Sequence, residues 1–462
     1  MPPPREPAAA ETPPSPELLA HLQSVLQDLS QNPYPYVENP PNCKKRASVA
    51  LIIRIQPRYS HWPDKQNAAQ CAAESAGEPV ESRLNAFFAQ DWVQHGDPEV
   101  LFIKRAHRPG DRWTSHVALP GGRRDPEDAD DRAAAVRETE EEVGIELTDA
   151  NSIPVGNLPE RVVTTSWGKV PLMVLCPYIY LLTDPEPPAL RLQPAEVGST
   201  HWVSIRALLS PSQRTYWHED VSNRLAKQEF GIKRWFLRAM LGKMIFAAIR
   251  LIPSQSEHCS TIPGFVPEGD DDSNKNGRSA ASQLANWWYG RMQPAASTDS
   301  PLLLWGLTLG IVADFLDLMP PHNAVRLWTY PTFTPPDVRL LLWATSYAFR
   351  KRKARVLAEH HDSVRGPVAV AVEEEGLDGV DDQARSNGSV DPPESGISGL
   401  GVERYYSRLG QKNPATRSSA VGILLEGYYD IVRKTVALSL VARVSVFAAV
   451  VATLVVKYRR LR

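Results

Sequence analysis

A glycine-rich turn followed at once by an acidic helix constrains this chain more than any other stretch. Residues 119–145 read LPGGRRDPEDADDRAAAVRETEEEVGI. Asp125 predicts a helix N-cap, with Pro126 at the first helical position and Asp128 as the acid of a capping box. Residues 129–143 contain no Gly or Pro, and Gly144 predicts the C-terminal stop. The stretch therefore predicts a tight turn that opens directly into one helix.

Three glutamates of this helix are expected on one face. Glu138, Glu141 and Glu142 are i, i+3 and i+4 neighbours, and Asp131 points the same way two turns earlier. Such like charges cost a helix about 0.2–0.5 kcal/mol per pair, which a hard divalent cation would remove. Arg137 lies beside them as a fixed cation that can hold one carboxylate in place. A solvated acidic face is the ordinary alternative, but the preceding glycine turn and the arginine favour a metal site.

The stretch resembles the Nudix box, the glycine turn and helix of Nudix hydrolases, which ends in Arg-Glu-x-x-Glu-Glu-x-Gly and a hydrophobic residue. The positions that match this half are Arg137, Glu138, Glu141, Glu142, Gly144 and Ile145. The first half departs, because Asp128 stands where the box has Glu and one extra residue follows it. This spacing resembles the coenzyme A diphosphatase branch, whose Gly-Gly-x-x-Asp-x-x-Asp is met by Gly122, Asp125 and Asp128.

The segment ahead of the glycine turn resembles the same branch in part. The agreeing positions are Leu101, Arg105, Ala106, Val117, Ala118 and Pro120 to Gly122. Ile103 replaces the expected Thr, Ser115 the expected Gly and Leu119 the expected Phe. The segment between 106 and 115 is one residue longer than in the branch. These departures concern the substrate rather than the metal-binding part of the motif.

The resemblance implies an α/β fold, the Nudix αβα sandwich with a mixed sheet, and metal-dependent hydrolysis of a nucleoside diphosphate linked to another group. The branch implies coenzyme A or acyl-CoA as substrate, cut to 3′,5′-ADP and (acyl-)4′-phosphopantetheine. One alternative is another dinucleotide such as ADP-ribose or NADH. A second is a membrane-anchored adaptor that has the fold and no turnover, although an adaptor has no need of clustered, mutually repelling carboxylates.

The resemblance also implies roles for individual residues. The expected ligands of Mg²⁺ or Mn²⁺ are Glu138, Glu141, Glu142, the carbonyl of Gly122 and Asp128. Arg137 is expected to orient a glutamate, and the catalytic base stays open between Glu141 and Glu138. The cations predicted to contact substrate phosphates are Lys104, Arg105 and Arg123. Glu196 could assist the metal site, but a structural role is the more common one for such a residue.

Composition and patterning divide the rest of the chain. Of 462 residues 41 are Pro, the net charge of −2 gives no reason to expect a nucleic-acid partner, and the four scattered cysteines suggest a reducing compartment. Residues 1–40 are predicted to be mostly disordered with a short helix over 18–29. The Nudix domain is predicted over 45–355 with an insertion at about 210–300, and an acidic, disordered linker over 356–420. A basic amphipathic helix is expected over 229–252, and another helix over 337–353.

Residues 435–456 are long and apolar enough for a membrane span, which needs roughly 20 apolar residues. The one charge within them, Arg443, costs about 2.5–3.5 kcal/mol at a helix centre and can snorkel. Followed by the basic residues 457–462, the segment predicts a C-terminal anchor with the catalytic domain in the cytosol. Mitochondrial outer membrane or peroxisome is expected rather than endoplasmic reticulum. A buried or amphipathic helix is the alternative.

Overall fold

The computed structural model describes most of the chain, namely residues 16–41, 43–63, 77–107, 115–164, 171–186, 189–219, 242–259, 301–320, 322, 328–364, 420–425 and 427–461. The disorder predicted for the first 15 residues and for 365–419 lies outside these residues. So does the part of the predicted helix at 229–241.

The strands, in chain order, are β1 (Arg46–Gln56), β2 (Asp97–Arg105), β3 (Val117–Ala118), β4 (Gly121–Arg123), β5 (Ser152–Asn157), β6 (Arg161–Thr164), β7 (Pro171–Leu182), β8 (Val197–Ser204), β9 (Arg214–Glu219), β10 (Met244–Arg250), β11 (Pro253–His258), β12 (Leu303–Trp305) and β13 (Thr332–Phe333). The α-helices are α1 (Pro16–Gln31), α2 (Val80–Phe88), α3 (Asp91–Gln94), α4 (Asp131–Val143), α5 (Ile205–Leu209), α6 (Gly306–Asp317), α7 (Pro336–Val364), α8 (Ala420–Leu425) and α9 (Tyr428–Leu461).

The main sheet has nine strands in the order β11-β8-β2-β1-β7-β5, with β3, β4 and β6 paired to β2, β1 and β7. At its centre β1 runs parallel to β7 and antiparallel to β2, so the sheet is mixed. Successive residues of β1 alternate between two covered faces, which explains its unbroken apolar run. Leu51 and Ile53 pack in one core cluster, whereas Ala50 and Ile52 pack in another.

Helices cover both faces of this sheet. On one side α1 packs against α2 and β5, and its buried residues include Leu22, Leu26 and Leu29. The helix predicted over 18–29 is therefore present. On the other side α4 packs against β1, and Val143 joins the same core cluster as Ile52. This arrangement is the predicted αβα sandwich with a mixed sheet.

A second, four-stranded sheet is built around β10, which pairs antiparallel with β9, β12 and β13. The helix predicted over 229–252 is wrong for Met244–Arg250, which is a strand. Its residues are buried on both faces, and a short, uniformly apolar run does not distinguish a buried strand from a helix. In addition, β11 extends the edge of the main sheet beside β8. The predicted insertion at 210–300 thus contributes strands to both sheets.

Three helices pack together after the second sheet. Helix α7 runs to Val364, beyond the predicted 353 and into the predicted linker, and lies antiparallel to α9. The Thr345 and Thr435 hydroxyls lie 2.8 Å apart, and Arg443 Nε donates to Asp337 Oδ2 at 2.6 Å. The hydroxyl of buried Tyr428 donates to the Pro331 carbonyl at 2.6 Å. The start of α9 therefore belongs to the folded body.

The rest of α9 differs from its start in the exposure of its side chains. Thr435, Val436 and Ser439 are buried, but beyond Arg443 the large apolar side chains are exposed, Phe447 by 70%. By length and composition the stretch from 420 to 460 is suited to cross a membrane. The first residues of the predicted span at 435–456 thus pack against α7, and the bare apolar part begins later.

Candidate active site

The acidic helix α4 starts later than the sequence suggests. Asp130 is its N-cap and accepts a hydrogen bond from the Ala133 N–H at 2.7 Å, so the N-cap predicted at Asp125 is wrong. Asp125 instead donates its N–H to Asp128 Oδ2 at 2.8 Å, which closes a turn ahead of the helix. The predicted stop is confirmed, since Gly144 caps the C-terminus with φ 75°.

Three carboxylates converge beside the glycine turn. Ligand oxygens of Glu138, Glu142 and Glu196 lie within 4.8 Å of one another, and we refer to these residues as the carboxylate group. Two of them are i and i+4 on α4. Glu196 directly precedes β8, and its carbonyl accepts from the Ala106 N–H at 2.7 Å at the end of β2. The sheet therefore brings the third carboxylate to the helix.

Burial raises the pKa values of Glu138 and Glu142, the two members of the carboxylate group on α4. Glu142 is 2% exposed, and burial raises its pKa to about 8; repulsion from Glu138 and Glu196 adds to the rise. The Gly121 N–H, which donates to Glu142 Oε2 at 2.8 Å, and nearby Arg105 act against it. Burial also raises the pKa of Glu138. Holding these charges together is costly, so the group has a strong electrostatic preference for a cation.

Two glycines allow the turn to approach this group. Gly121 has φ 146°, and a Cβ there would overlap the Ser48 carbonyl of β1. A Cβ at Gly122 would overlap the Glu138 carboxylate. The backbone of β4 therefore lies directly against the carboxylate group, which places Gly122 beside the predicted ligands.

Arg137 binds Asp128 and Glu141, the two predicted acidic ligands that are not in the carboxylate group. It donates to both Asp128 oxygens at 2.9 Å, to Glu138 at 3.2 Å and to Glu141 at 3.1 Å. This pairing lowers the pKa of Asp128. Asp128 and the largely exposed Glu141 thus lie on the arginine, outside the three-carboxylate group. Through its contact with Glu138, Arg137 also touches one member of the carboxylate group.

Asp131 does not join this face of α4, contrary to the sequence prediction. It belongs to a second buried group with Glu160 and Cys176. Arg46 of β1 donates to Asp131 at 2.7 Å, to Glu160 at 2.8 Å and to the Cys176 sulfur at 3.1 Å. An arginine 85 residues away therefore determines where Asp131 points.

The predicted phosphate-binding cations lie in different environments. Arg105 is near enough to Glu142 to lower the pKa of that carboxyl. Lys104 is half-buried, and burial lowers its pKa. Arg123 is exposed, and its carbonyl accepts from Arg137 at 3.0 Å. Of the three, Arg105 is the one with a direct electrostatic link to the carboxylate group.

The donor set fits a hard divalent cation. Carboxylate oxygens are the ligands that Mg²⁺ and Mn²⁺ prefer, and three converge here with raised pKa values for two of them. Glu138, Glu142 and Glu196 are the residues that could hold it. The sequence analysis favoured a structural role for Glu196 over a role at the metal site. Its position depends on the pairing of β8 with β2, which helical spacing does not reveal.

Comparison with known proteins places this site in a family. The family model for the NUDIX domain matches residues 92–225, which include the glycine turn, α4 and Glu196. An uncharacterized protein of Schizosaccharomyces pombe is 39% identical over 253 residues, which cover 54% of this chain and 68% of that protein. The chain contains a Nudix domain. The similarity of this Nudix protein to the yeast relative extends beyond the span matched by the family model.

Solved Nudix structures are similar at low identity. A MutT/nudix family protein from Enterococcus faecalis is 17% identical, with 43% of this chain and 56% of that chain covered and a TM-score of 0.22. The NUDIX domain of Shewanella oneidensis NrtR, complexed with ADP ribose, is 16% identical, with 39% and 84% covered and a TM-score of 0.21. A C. elegans Ap4A hydrolase is 17% identical, with 35% and 81% covered and a TM-score of 0.21.

Proposed function

We propose that this Nudix protein is a coenzyme A diphosphatase that cuts coenzyme A or acyl-CoA to 3′,5′-ADP and (acyl-)4′-phosphopantetheine. The family acts on nucleoside diphosphate derivatives. The observation that carries hydrolysis is the convergence of Glu138, Glu142 and Glu196 beside the glycine turn, with Glu142 buried and Glu138 braced by Arg137. A chain that only bound partners would gain nothing from clustering three repelling acids around a buried one.

Each residue of the site has a distinct task in this proposal. Glu138, Glu142 and Glu196 would hold Mg²⁺ or Mn²⁺, and the bound ion would supply positive charge for the diphosphate oxygens and an activated water for in-line attack on phosphorus. Arg137 fixes the Glu138 carboxylate, and the Gly121 N–H fixes that of Glu142. Arg105 supplies positive charge for the substrate phosphates. Glu141, which lies outside the carboxylate group, is the available proton acceptor.

The coenzyme A assignment rests on the spacing of the glycine turn. One extra residue follows Asp128 before the arginine, and Asp128 uses both carboxylate oxygens to bind Arg137. That pairing gives Asp128 a role in positioning Arg137. ADP-ribose or NADH remains the alternative substrate, since Ile103, Ser115 and Leu119 depart from the branch.

We also propose that α9 anchors the protein in a membrane, with the catalytic domain in the cytosol at the mitochondrial outer membrane or the peroxisome. The support is the run of exposed apolar side chains beyond Arg443. Arg443 is paired with Asp337 of α7, which compensates the one charge of the predicted span. A buried helix is the alternative that this exposure disfavours.

The test of hydrolysis uses the full-length protein in detergent micelles with Mg²⁺ or Mn²⁺. Coenzyme A, ADP-ribose and NADH are supplied separately, and released phosphate products are identified. We expect 3′,5′-ADP from coenzyme A, and a loss of about 100-fold or more in Glu142→Gln, because the amide removes a charged ligand. Glu140→Gln is the matched control, since Glu140 is exposed on the same helix, and should leave the rate unchanged.

Other outcomes would change the assignment. Cleavage of ADP-ribose or NADH without cleavage of coenzyme A would overturn the branch and keep the reaction class. If the folded protein binds metal but cleaves none of the three substrates, the result would favour the alternative of a non-catalytic adaptor.

A further inference from the structure

A group of aromatic rings lies close to the carboxylate group and takes no part in the proposed hydrolysis. The indoles of Trp217 and Trp305 are stacked, with centroids 5.2 Å apart and planes 21° apart. His116 approaches Trp305 at 5.0 Å, and Phe246 approaches the same ring at 5.9 Å. Phe246 is 5% exposed, whereas the other three are only partly buried. We refer to His116, Trp217 and Trp305 as the aromatic platform.

The register of the second sheet explains the stacked indoles. Trp217 of β9 pairs with Phe246 of β10, and Trp305 of β12 pairs with Ala248 of β10. Phe246 and Ala248 are two residues apart, so all four side chains share one face of the sheet. Because Ala248 is small, the two indoles meet above β10. The Trp217 indole N–H donates to Glu219 at 3.1 Å, which fixes the plane of that ring.

The strand pairing brings this platform to the active site. The His116 carbonyl accepts from the Arg105 N–H at 3.0 Å, and Arg105 interacts electrostatically with Glu142. One strand spacing, about 4.8 Å, therefore separates the backbones that carry the platform histidine and the arginine. From His116 the chain continues through β3 directly into Pro120 and the glycine turn.

We propose that the aromatic platform stacks the heteroaromatic base of the substrate, an adenine in the coenzyme A or ADP-ribose case. This inference rests on the proposed hydrolase function, and it adds the part of the site that recognises the nucleoside. An aromatic ring meant only for packing is buried, as Phe246 is, whereas Trp217 and Trp305 keep partly open surfaces. Base stacking of this kind is worth about tenfold or more in affinity for each ring. The diphosphate would lie between the platform and the carboxylate group, against Arg105.

Binding of AMP tests the platform without turnover. AMP is titrated into the full-length protein in micelles without divalent cation and followed by calorimetry. We expect Trp217→Leu to weaken binding by about tenfold and Trp217→Phe, which keeps an aromatic face, to retain most of it. Tyr216→Leu is the matched control, because Tyr216 neighbours Trp217 on β9 and points to the opposite face. Equal AMP affinity in wild type and Trp217→Leu, or equal losses in the Leu and Phe variants, would overturn the proposal.

Kinetics separate base recognition from a general defect. ADP-ribose carries a base, whereas 5-phosphoribosyl 1-diphosphate carries a diphosphate and no base. If both are substrates, Trp217→Leu should lower kcat/KM about tenfold for the first alone, mainly through KM; equal losses for both would mean that the ring only supports the fold. An active enzyme whose kinetics do not change in Trp217→Leu would contradict the aromatic platform and support the proposed hydrolysis. An inactive protein whose AMP binding depends on Trp217 would support the platform and contradict the proposed hydrolysis.

Discussion

His201 lies in β8 with its ring buried between two serine hydroxyls. Ser199 Oγ is 2.9 Å from Nε2, and Ser256 Oγ is 2.8 Å from Nδ1. A hydroxyl can donate or accept, so both partners satisfy the neutral ring. Burial lowers the pKa of His201 to about 4, and repulsion from His258 and Lys104 adds to the drop. The folded protein therefore keeps this ring neutral at pH values where an unfolded histidine takes up a proton.

We expect this histidine to make the fold sensitive to acid. Between pH 6.5 and 4 the unfolded chain binds a proton at His201 that the folded chain does not, so the free energy of unfolding falls as the pH is lowered. The full shift corresponds to on the order of 3 kcal/mol. Urea denaturation at pH 7 and pH 4.5 should show a smaller acid-dependent loss in His201→Gln, which cannot titrate. Identical losses in the variant and the wild type would contradict this.

Single residues also show how far the sequence could predict the site. Helical spacing was enough for Glu138 and Glu142, because both lie on one element. It failed for Asp131, since an arginine on β1 draws that carboxylate away, and it undervalued Glu196, whose place depends on strand pairing. Local periodicity predicts which residues share a helix face, but not which distant charge compensates them.

At the scale of elements, Arg46 joins four parts of the fold. Its guanidinium binds Asp131 at the start of α4, Glu160 just before β6, and the Val37 carbonyl at 2.8 Å in the segment after α1. The fourth part is β7, which Arg46 contacts through the Cys176 sulfur. The two carboxylates are almost fully buried, with side chains 4% and 3% exposed. Arg46 therefore fixes the N-terminal end of the catalytic helix against the sheet.

Removing this cation should be strongly destabilising. Arg46→Met removes the cation shared by two buried carboxylates, which leaves Asp131 with the longer 3.4 Å contact to Arg124 and Glu160 with the Val37 N–H. Breaking a buried pair in this way costs about 3–5 kcal/mol. The measurement is the free energy of unfolding from urea denaturation at pH 7. Lys44→Met, at an exposed cation two residues away, is the control and should change it little. An Arg46→Met protein as stable as that control would show that the two acids are protonated or hydrated when folded.

Elements differed in how well sequence predicted them. The periodic apolar face of α1 favours a helix, and the helix predicted over 18–29 was confirmed. The run MIFAAIR in β10 is apolar without a period, and its pairing with three distant strands decided its conformation. The limit here is physical, because burial on both faces erases the pattern that distinguishes strand from helix.

Across the whole molecule, one core joins the catalytic domain to the C-terminal helices. The same cluster includes Leu22 of α1 and Val432 of α9. Buried Asp314 of α6 pairs with Arg161 of β6 and accepts from the Val421 N–H of α8 at 3.0 Å. The helices that lead into the predicted anchor are therefore part of the folded body.

Two truncations should separate anchoring from folding. A chain that stops after Arg443 keeps the Asp337 pair and the buried part of α9, so we expect it to leave the membrane pellet and stay folded. A chain that stops before Thr435 also loses Val436 and Ser439 from the interface with α7, and should be less stable by about 2 kcal/mol or more. Membrane flotation and thermal unfolding report the two effects. If the chain that stops after Arg443 floated with membranes like the full-length protein, α9 would not be the anchor.

The continuity of α9 has a consequence for how the enzyme would meet its substrates. One helix runs from Tyr428 to Leu461, packed at its start and bare beyond Arg443, with no linker between the two parts. The proposed anchor would therefore be a rigid extension of the folded body rather than a flexible link. It would fix the distance and the orientation of the active site relative to the lipid surface, and it would restrict the diffusion of the enzyme to two dimensions.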